Sequence, residues 1–407
     1  MSQATLLQGV SVVELGDFFS AAYCAKILAD LGADVIKIEP RDGDSARRHG
    51  PFPDDVPHHE RSGLFAYLNT NKRSLTLDLA HPSARSVVID LLSEADVLVE
   101  NLGQDYLSTL GLDQQLLHQS VPDLVVTSLS AFGHKCGEAR PKGDDLIAFH
   151  ASGYAQIVGG LVDDPSVSAP VKAAEYQADL LAAINGVTAT LVSLWSNEDP
   201  GRPLWNDVSA RDSLVPFIFT EIARYLETGT IPSRRRDQNP PNSVVVILPT
   251  LDGEVAISPR EEHLWQRWVG VMGNPEWASD PRFENRDGRA NHWAEIYQHL
   301  ATWSKQRTKD EVARLAQEAR VPSFPVNDIS ASFASEQLAW RGFFQEVDHP
   351  ELGCVNIPTA PYSLSGHTCG AETDAPAPLL GEHTASILEG LGYSRDRILA
   401  LYRAEVI

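Results

Sequence analysis

The chain has 407 residues, 43% of them hydrophobic, which is enough for two or three domains around sizeable cores and unlike a disordered or fibrous polypeptide. A formal net charge of −22 sets most of the surface against nucleic acid and anionic membrane, so neither is an expected partner and an anionic ligand needs a local basic pocket. Cys24, Cys136, Cys354 and Cys369 lack CxxC spacing and the histidines are dispersed apart from His58-His59, so no metal site and no disulfide framework is expected; without a basic stretch leading into an apolar run at the N-terminus, the cytoplasm is the expected address.

In chain order, Gly9 to Leu15 is a β-branched strand, Phe18 to Leu31 has helical spacing with Gly32 as its stop, and Asp34 to Ile38 is a second strand. Strand, helix and strand within about thirty residues open a parallel sheet. The first turn, Gly16 to Ser20, carries no GxGxxG, which argues against an ordinary dinucleotide site. Strands are expected at Leu75 to Leu79, Val97 to Glu100 and Leu124 to Leu129, with a helix from Pro82 to about Ser93. Ligands of such an open α/β sheet sit at the strand C-terminal ends, where Arg41, Lys72 and Asn101 fall.

Leu180 to Trp195 is an apolar run whose polar members are Asn185, Thr188, Thr190 and Ser193, too long for one strand and short for a bilayer, and it reads as a buried helix. Asp179 heads it. A carboxylate there faces unpaired backbone N–H groups and the positive end of the helix dipole, which would keep it ionised, either as a helix cap or as an anionic nucleophile. Gly201 to Leu226 reads as further helix and Gly229 to Asn242 as a linker in which Arg234, Arg235 and Arg236 are a solvated run or a phosphate patch. Ser243 to Pro249 and Glu254 to Ser258 form a hairpin, and Thr308 to Glu311 is a capping box opening a helix to about Glu318. No serine-hydrolase elbow and no P-loop is present.

Read together, several stretches resemble the family III CoA-transferases, which include formyl-CoA:oxalate and carnitine CoA-transferases with the α-methylacyl-CoA racemases as neighbours. They are Gly9 to Leu15, Leu28 to Glu39, Asn69 to Leu75, Ala95 to Asn101, Asp280 to Phe283 and Pro378 to Thr384, in the family's order over essentially the whole chain. The resemblance implies an α/β fold with an open parallel-sheet, Rossmann-like large domain and a smaller α+β domain, assembled as an interlocked homodimer. It implies Asp179 as the nucleophile, with Glu175 in an alternative alignment slipped by four residues. The reaction implied is CoA transfer from an acyl-CoA to a carboxylic acid through aspartyl anhydride and aspartyl-CoA thioester intermediates, with helix-start N–H groups available to oxyanions. By the same resemblance CoA contacts Phe19, Ser20, Arg41, Leu77, Asn101, Leu102, Gly103 and Lys142; CoA enters as substrate and no tightly bound cofactor is expected.

The expected division is 1–205 as the large CoA-binding domain, 206–242 as a helical linker, 243–330 as the small domain and 331–407 as a return to the large one. Five departures bear on substrate class and on affinity for CoA: Ala21-Ala22 for the usual Gly-Pro, Pro40 at a place often basic, Thr109 where relatives carry a CoA-binding Arg, Ala183 for Gly, and no Gly-rich loop after Asn242. Gly143-Asp144-Asp145 has Asp where the racemases need His, so a transferase is the expected activity, with a racemase or a non-catalytic acyl-CoA-binding protein as alternatives.

Overall fold

The computed structural model describes residues 5–135, 142–158, 160, 162–196, 204–231, 234, 245–365 and 375–407, and they fall into two compact units. The larger draws on 1–159, 170–230 and 339–407. Its sheet comprises β1 (Ser11–Leu15), β2 (Asp34–Glu39), β3 (Lys72–Thr76), β4 (Val97–Glu100), β5 (Val125–Ser130) and β6 (Leu204–Ser209), ordered β3-β2-β1-β4-β5-β6 and parallel throughout. Alternation along each strand feeds two cores: Val12, Val35 and Val99 face one layer, Val13, Leu98 and Val126 the other. The strand order reverses between β1 and β4, so a crevice opens beyond their C-terminal ends, where an α/β sheet of this kind takes its ligand.

The Gln177–Ser196 helix lies on the first of those layers. Ala178, Ala182, Gly186 and Thr190 recur every four residues on its buried face and let it sit close to the sheet. A Cβ at Gly186 would come 2.9 Å from Leu129 Cδ2. Thr190 and Thr127 share a hydroxyl hydrogen bond of 2.6 Å, and Ser193 Oγ donates to Asn206 Oδ1 at 2.9 Å. The expected buried helix is buried on one face only: Ile184, Val192 and Trp195 stand exposed on its other side.

Two further differences have physical causes. The strand expected at Leu75 to Leu79 begins at Lys72, because Lys72 and Ser74, polar by type, are fully enclosed by ionic and hydrogen-bonding partners. The start of the expected helix at 201–226 is instead β6, paired with β5 along its whole length; the Ala210–Leu214 helix follows at once, capped by Ser209.

The C-terminal Pro378 to Thr384 segment docks on the β3 edge: Gly381 N donates to Ser74 Oγ at 2.9 Å, His383 N to the Ser74 carbonyl at 3.0 Å, and Thr76 N to Thr384 Oγ1 at 3.0 Å. Gly381 has φ +65°, and a Cβ there would meet Thr76 at 2.9 Å. The hairpin of β10 (Phe344–His349) and β11 (Gly353–Pro358) also belongs to this unit.

The smaller unit, 160–169 and 231–338, holds an antiparallel sheet of β7 (Val246–Pro249), β8 (Glu254–Ile257) and β9 (Ser323–Pro325). The expected hairpin is β7 and β8, and Thr308 caps the Lys309–Glu318 helix by accepting from Glu311 N at 3.2 Å. Its core gathers Trp265, Trp268, Phe283, Ile296 and Leu300. Arg234 is buried and donates to the carbonyls of Ser168 (2.7 Å) and Ala169 (3.3 Å), so it is a latch and not a solvated or phosphate-facing residue; Arg235 and Arg236 lie outside the described residues.

Candidate active site

The turn after β1 is stitched to the end of β4 by one side chain. Asn101 Oδ1 accepts from Asp17 N at 2.9 Å, while its Nδ2 donates to the Asp17 carbonyl at 2.8 Å and to Ser20 Oγ at 3.0 Å. Gly16 lies directly against this stitch: a Cβ there would come 2.5 Å from Ala21 Cβ and 2.8 Å from Asn101 Oδ1. The Asn101 amide is thus occupied within the fold, and what the 101–103 turn offers outward is chiefly its backbone. Glu100, fully buried, shapes that turn by accepting from Leu102 N at 2.9 Å and Gly103 N at 3.1 Å through Oε2.

Beyond the ends of β4 and β5 lies a cleft of about 630 Å³ lined by Asn101, Leu102, Gly103, Thr109, His134 and Lys142, among others. Four of the expected CoA contacts, Asn101, Leu102, Gly103 and Lys142, therefore meet in one cavity, with Lys142 and His134 as its basic groups. Ser20 joins them through its hydrogen bond to Asn101. Arg41 does not line this cleft; it pairs with Glu405 Oε2 at 3.2 Å on the exposed turn after β2. Leu77 is fully buried in the core, so only its backbone can meet a ligand. His134, which sequence reasoning missed, lines the cleft with its ring Nε2 3.0 Å from Ser128 Oγ and 3.7 Å from Glu100 Oε1. A histidine just past the C-terminal end of a predicted parallel strand was the available signal.

Two residues along the chain from the cleft-lining Gly143, Asp145 reaches the head of the Gln177–Ser196 helix. Its Oδ1 accepts from Ala178 N (2.7 Å) and Asp179 N (3.1 Å), and its Oδ2 stands 2.8 Å from Lys172 Nζ. Asp144 caps the Asp145–Ala151 helix by accepting from Ile147 N. Asp179 sits in the first turn of its helix, partly buried. From the first turn of the chain, Phe19 packs on Tyr176 with ring centroids 4.9 Å apart, and Phe18 meets the same ring edge-on at 4.9 Å. Phe19 and Leu180 share one apolar cluster, so the first turn and the Asp179 helix meet through side chains.

The electrostatics correct one expectation. The helix start does not hold the Asp179 carboxyl in the ordinary range: burial, then the neighbouring charges of Asp145 and Asp144, push it up to about 7, with Lys172 pulling the other way. The helix-start amides expected to hold an anion are also taken, since Asp145 accepts from two of them. Glu175, the alternative nucleophile, is an exposed loop residue with a left-handed backbone (φ 61°). Among the described residues no group of His, Cys, Asp and Glu has the arrangement of a metal site.

An open parallel sheet with a cleft beyond the ends of β4 and β5 that carries Lys142 and His134 fits an α/β protein that takes an anionic ligand. The family model described as CoA-transferase family III matches residues 7–384, and the chain belongs to that family; it is a CoA-transferase. It is 30% identical over 388 residues to the succinate–glutarate CoA-transferase of Agrobacterium fabrum, covering 95% of each protein. It is 29% identical to the succinyl-CoA–D-citramalate CoA-transferase of Chloroflexus aurantiacus, covering 98% of each. The crystal structure of a CAIB/BAIF family protein from Brucella suis superposes with a TM-score of 0.82 at 28% identity, over 96% of this chain and all of that one.

Proposed function

We propose that this enzyme moves CoA from succinyl-CoA or a related acyl-CoA to a carboxylic acid, with Asp179 as the covalent carrier. The observation that carries this reading is a carboxyl poised near 7 at the head of the Gln177–Ser196 helix, joined through Asp145 to the segment that lines the cleft. At neutral pH it is ionised in a large fraction of molecules and basic enough to attack a thioester. An Asp179 oxygen attacks the thioester carbonyl, the C–S bond breaks, and a mixed anhydride and CoA thiolate result. The thiolate attacks the aspartyl carbonyl, expels the donor acid as its carboxylate and leaves aspartyl-CoA thioester. The acceptor carboxylate attacks that carbonyl and releases the thiolate, which then takes the acceptor acyl group from the second anhydride and frees Asp179. Each step exchanges bonds of comparable activation, so no ATP is consumed.

In this reading CoA lies along Phe19 and Ser20, Arg41, the Leu77 backbone, the 101–103 turn and Lys142. Lys142 and His134 answer phosphate charge on a strongly acidic protein. Citramalate, mesaconate, benzylsuccinate and malate appear with succinyl-CoA in the names of relatives, which supports a succinyl donor. The enzyme acts in the cytoplasm, consistent with the unpaired thiols of Cys24 and Cys354. It works as an interlocked homodimer: Val192, Trp195, Phe217, Phe219, Tyr225 and Leu226 leave an apolar surface exposed on the larger unit.

Incubation with succinyl-CoA and hydroxylamine tests the assignment, because the trapped intermediate appears as a hydroxamate at Asp179 in the peptide mass spectrum. Deuterium wash-in at the α-carbon with no hydroxamate identifies a racemase instead, and tight CoA binding with neither outcome identifies a binding protein. Glu100 provides a second check. Glu100→Ala releases the Leu102 and Gly103 amides, and loss of hydrogen bonds to a charged acceptor is worth about 1.5–3 kcal/mol, so KM for acyl-CoA should rise about tenfold or more. Glu100→Gln keeps an acceptor oxygen and should stay near the parent.

A further inference from the structure

The loop before the Asp179 helix is held by one lysine. Lys172 Nζ donates to the carbonyls of Ala173 (3.1 Å) and Glu175, and it stands 2.8 Å from Asp145 Oδ2. It binds the loop where Glu175 takes its left-handed backbone, a conformation a non-glycine residue holds only when its surroundings impose it. The ammonium also lies 5.9 Å from the Phe149 ring centroid and 6.0 Å from that of Tyr176, which gives it aromatic faces on two sides. Asp145, the partner of this lysine, is buried, and its other oxygen takes the amides of Ala178 and Asp179. Lysine, carboxylate and helix start form a continuous chain ending at the Asp179 backbone.

We infer that Lys172 is a positioning residue for the nucleophile: through Asp145 it fixes the first turn of the Asp179 helix, and its charge favours the carboxylate form of Asp179 that attacks the thioester. This rests on the reading of Asp179 as nucleophile. Among the described residues, the charged and titratable groups around the loop and helix start are Asp144 and Asp145 at the start of the neighbouring helix, Lys172, Glu175 and Tyr176 from the loop itself, and Tyr23, Tyr67 and His49 from the elements whose aromatic residues pack with Tyr176 and Leu180. Acidic groups outnumber the single lysine, so removing its charge leaves Asp179 facing like charges alone within this cluster. Removing the charge of Asp145 does the reverse, and an amide there still accepts from the two backbone N–H groups. The two substitutions therefore move the ionisation of one carboxyl in opposite directions. A purely structural role for the lysine would lower activity evenly at every pH.

The test is the pH dependence of kcat/KM for succinyl-CoA between pH 5.5 and 9 in the full-length protein, with hydroxamate at Asp179 followed in parallel. Lys172 is the one group acting on Asp179 that favours its carboxylate form, so Lys172→Met should raise the midpoint of the rising limb. Asp145→Asn should lower it, and by more, since Asp145 is the stronger influence on Asp179; Lys172→Arg should return it close to the parent. Unshifted midpoints in Lys172→Met and Asp145→Asn, with hydroxamate still formed at Asp179, overturn this inference alone. Absence of hydroxamate at Asp179 in the parent overturns the nucleophile and the inference together.

Discussion

Asp179→Asn is expected to lower CoA transfer by roughly four orders of magnitude or more, because loss of a covalent carrier removes the pathway and not one contact within it. The same substitution should make the protein more stable at pH 8, since the wild-type carboxyl is ionised there against burial and two acidic neighbours. Its folded pKa of about 7 lies above the ordinary 3.8, so the folded state binds the proton more tightly than the unfolded one. Stability from this group is therefore present at low pH and is lost as pH rises through that window. Three units at about 1.4 kcal/mol each cap the gain at roughly 4 kcal/mol, and solvent screening of a partly exposed group reduces it to about 1–2 kcal/mol. Denaturant unfolding at pH 8 and at pH 5.5 checks both halves: the gain should be clear at the first and smaller at the second. Inactivity with the same stability change at both pH values would assign Asp179 a role other than an ionised nucleophile.

Asp179 stands out in the sequence as a carboxylate heading a long apolar helix, which by itself fits a helix cap as well as a nucleophile; the series of family-like stretches is what favours the nucleophile. Its ionisation was not legible, since that depends on Asp144, Asp145 and Lys172, which approach from elsewhere in the chain and carry no pattern linking them to Asp179. The parallel sheet was legible where strands are apolar and bounded by turns, as at Val97 to Glu100, whose limits agree with β4. It was misread where buried strand positions are polar. Lys72 and Ser74 look like turn residues by type, yet both are enclosed, and their burial is what moves β3 three residues upstream of its expected start. Likewise β6 contains Asn206 and Asp207, whose side chains bond inward to Thr127 and to the backbone of His134, a non-local satisfaction that periodicity cannot register.

That buried polar layer also sets the largest expected stability effect. Arg47 is fully enclosed, and its guanidinium grips Glu39 through Nε at 2.7 Å and Nη2 at 2.9 Å, Glu60 through Nη1 at 2.6 Å, and the Pro378 carbonyl at 3.0 Å, with the Phe65 ring centroid 3.7 Å away. Burial alone would raise the Glu39 carboxyl, but the hydrogen bonds and charge of Arg47 hold it below the ordinary range. Arg47→Met retains most of the apolar contact and removes every donor. Glu39 would keep Ser74 Oγ and Asp44 N as donors but lose its bidentate counter-charge, and breaking a buried pair from one side costs about 3–5 kcal/mol. Because the folded pKa of Glu39 is depressed, the stability this pair contributes is present above the ordinary carboxyl range and disappears as pH falls through the folded value. The deficit of Arg47→Met in urea unfolding should accordingly be full at pH 7 and shrink toward acid. Glu39→Gln on the Arg47→Met background should recover part of it, since a neutral amide no longer leaves a charge stranded; a further loss would mean that Glu39 is held by groups other than Arg47.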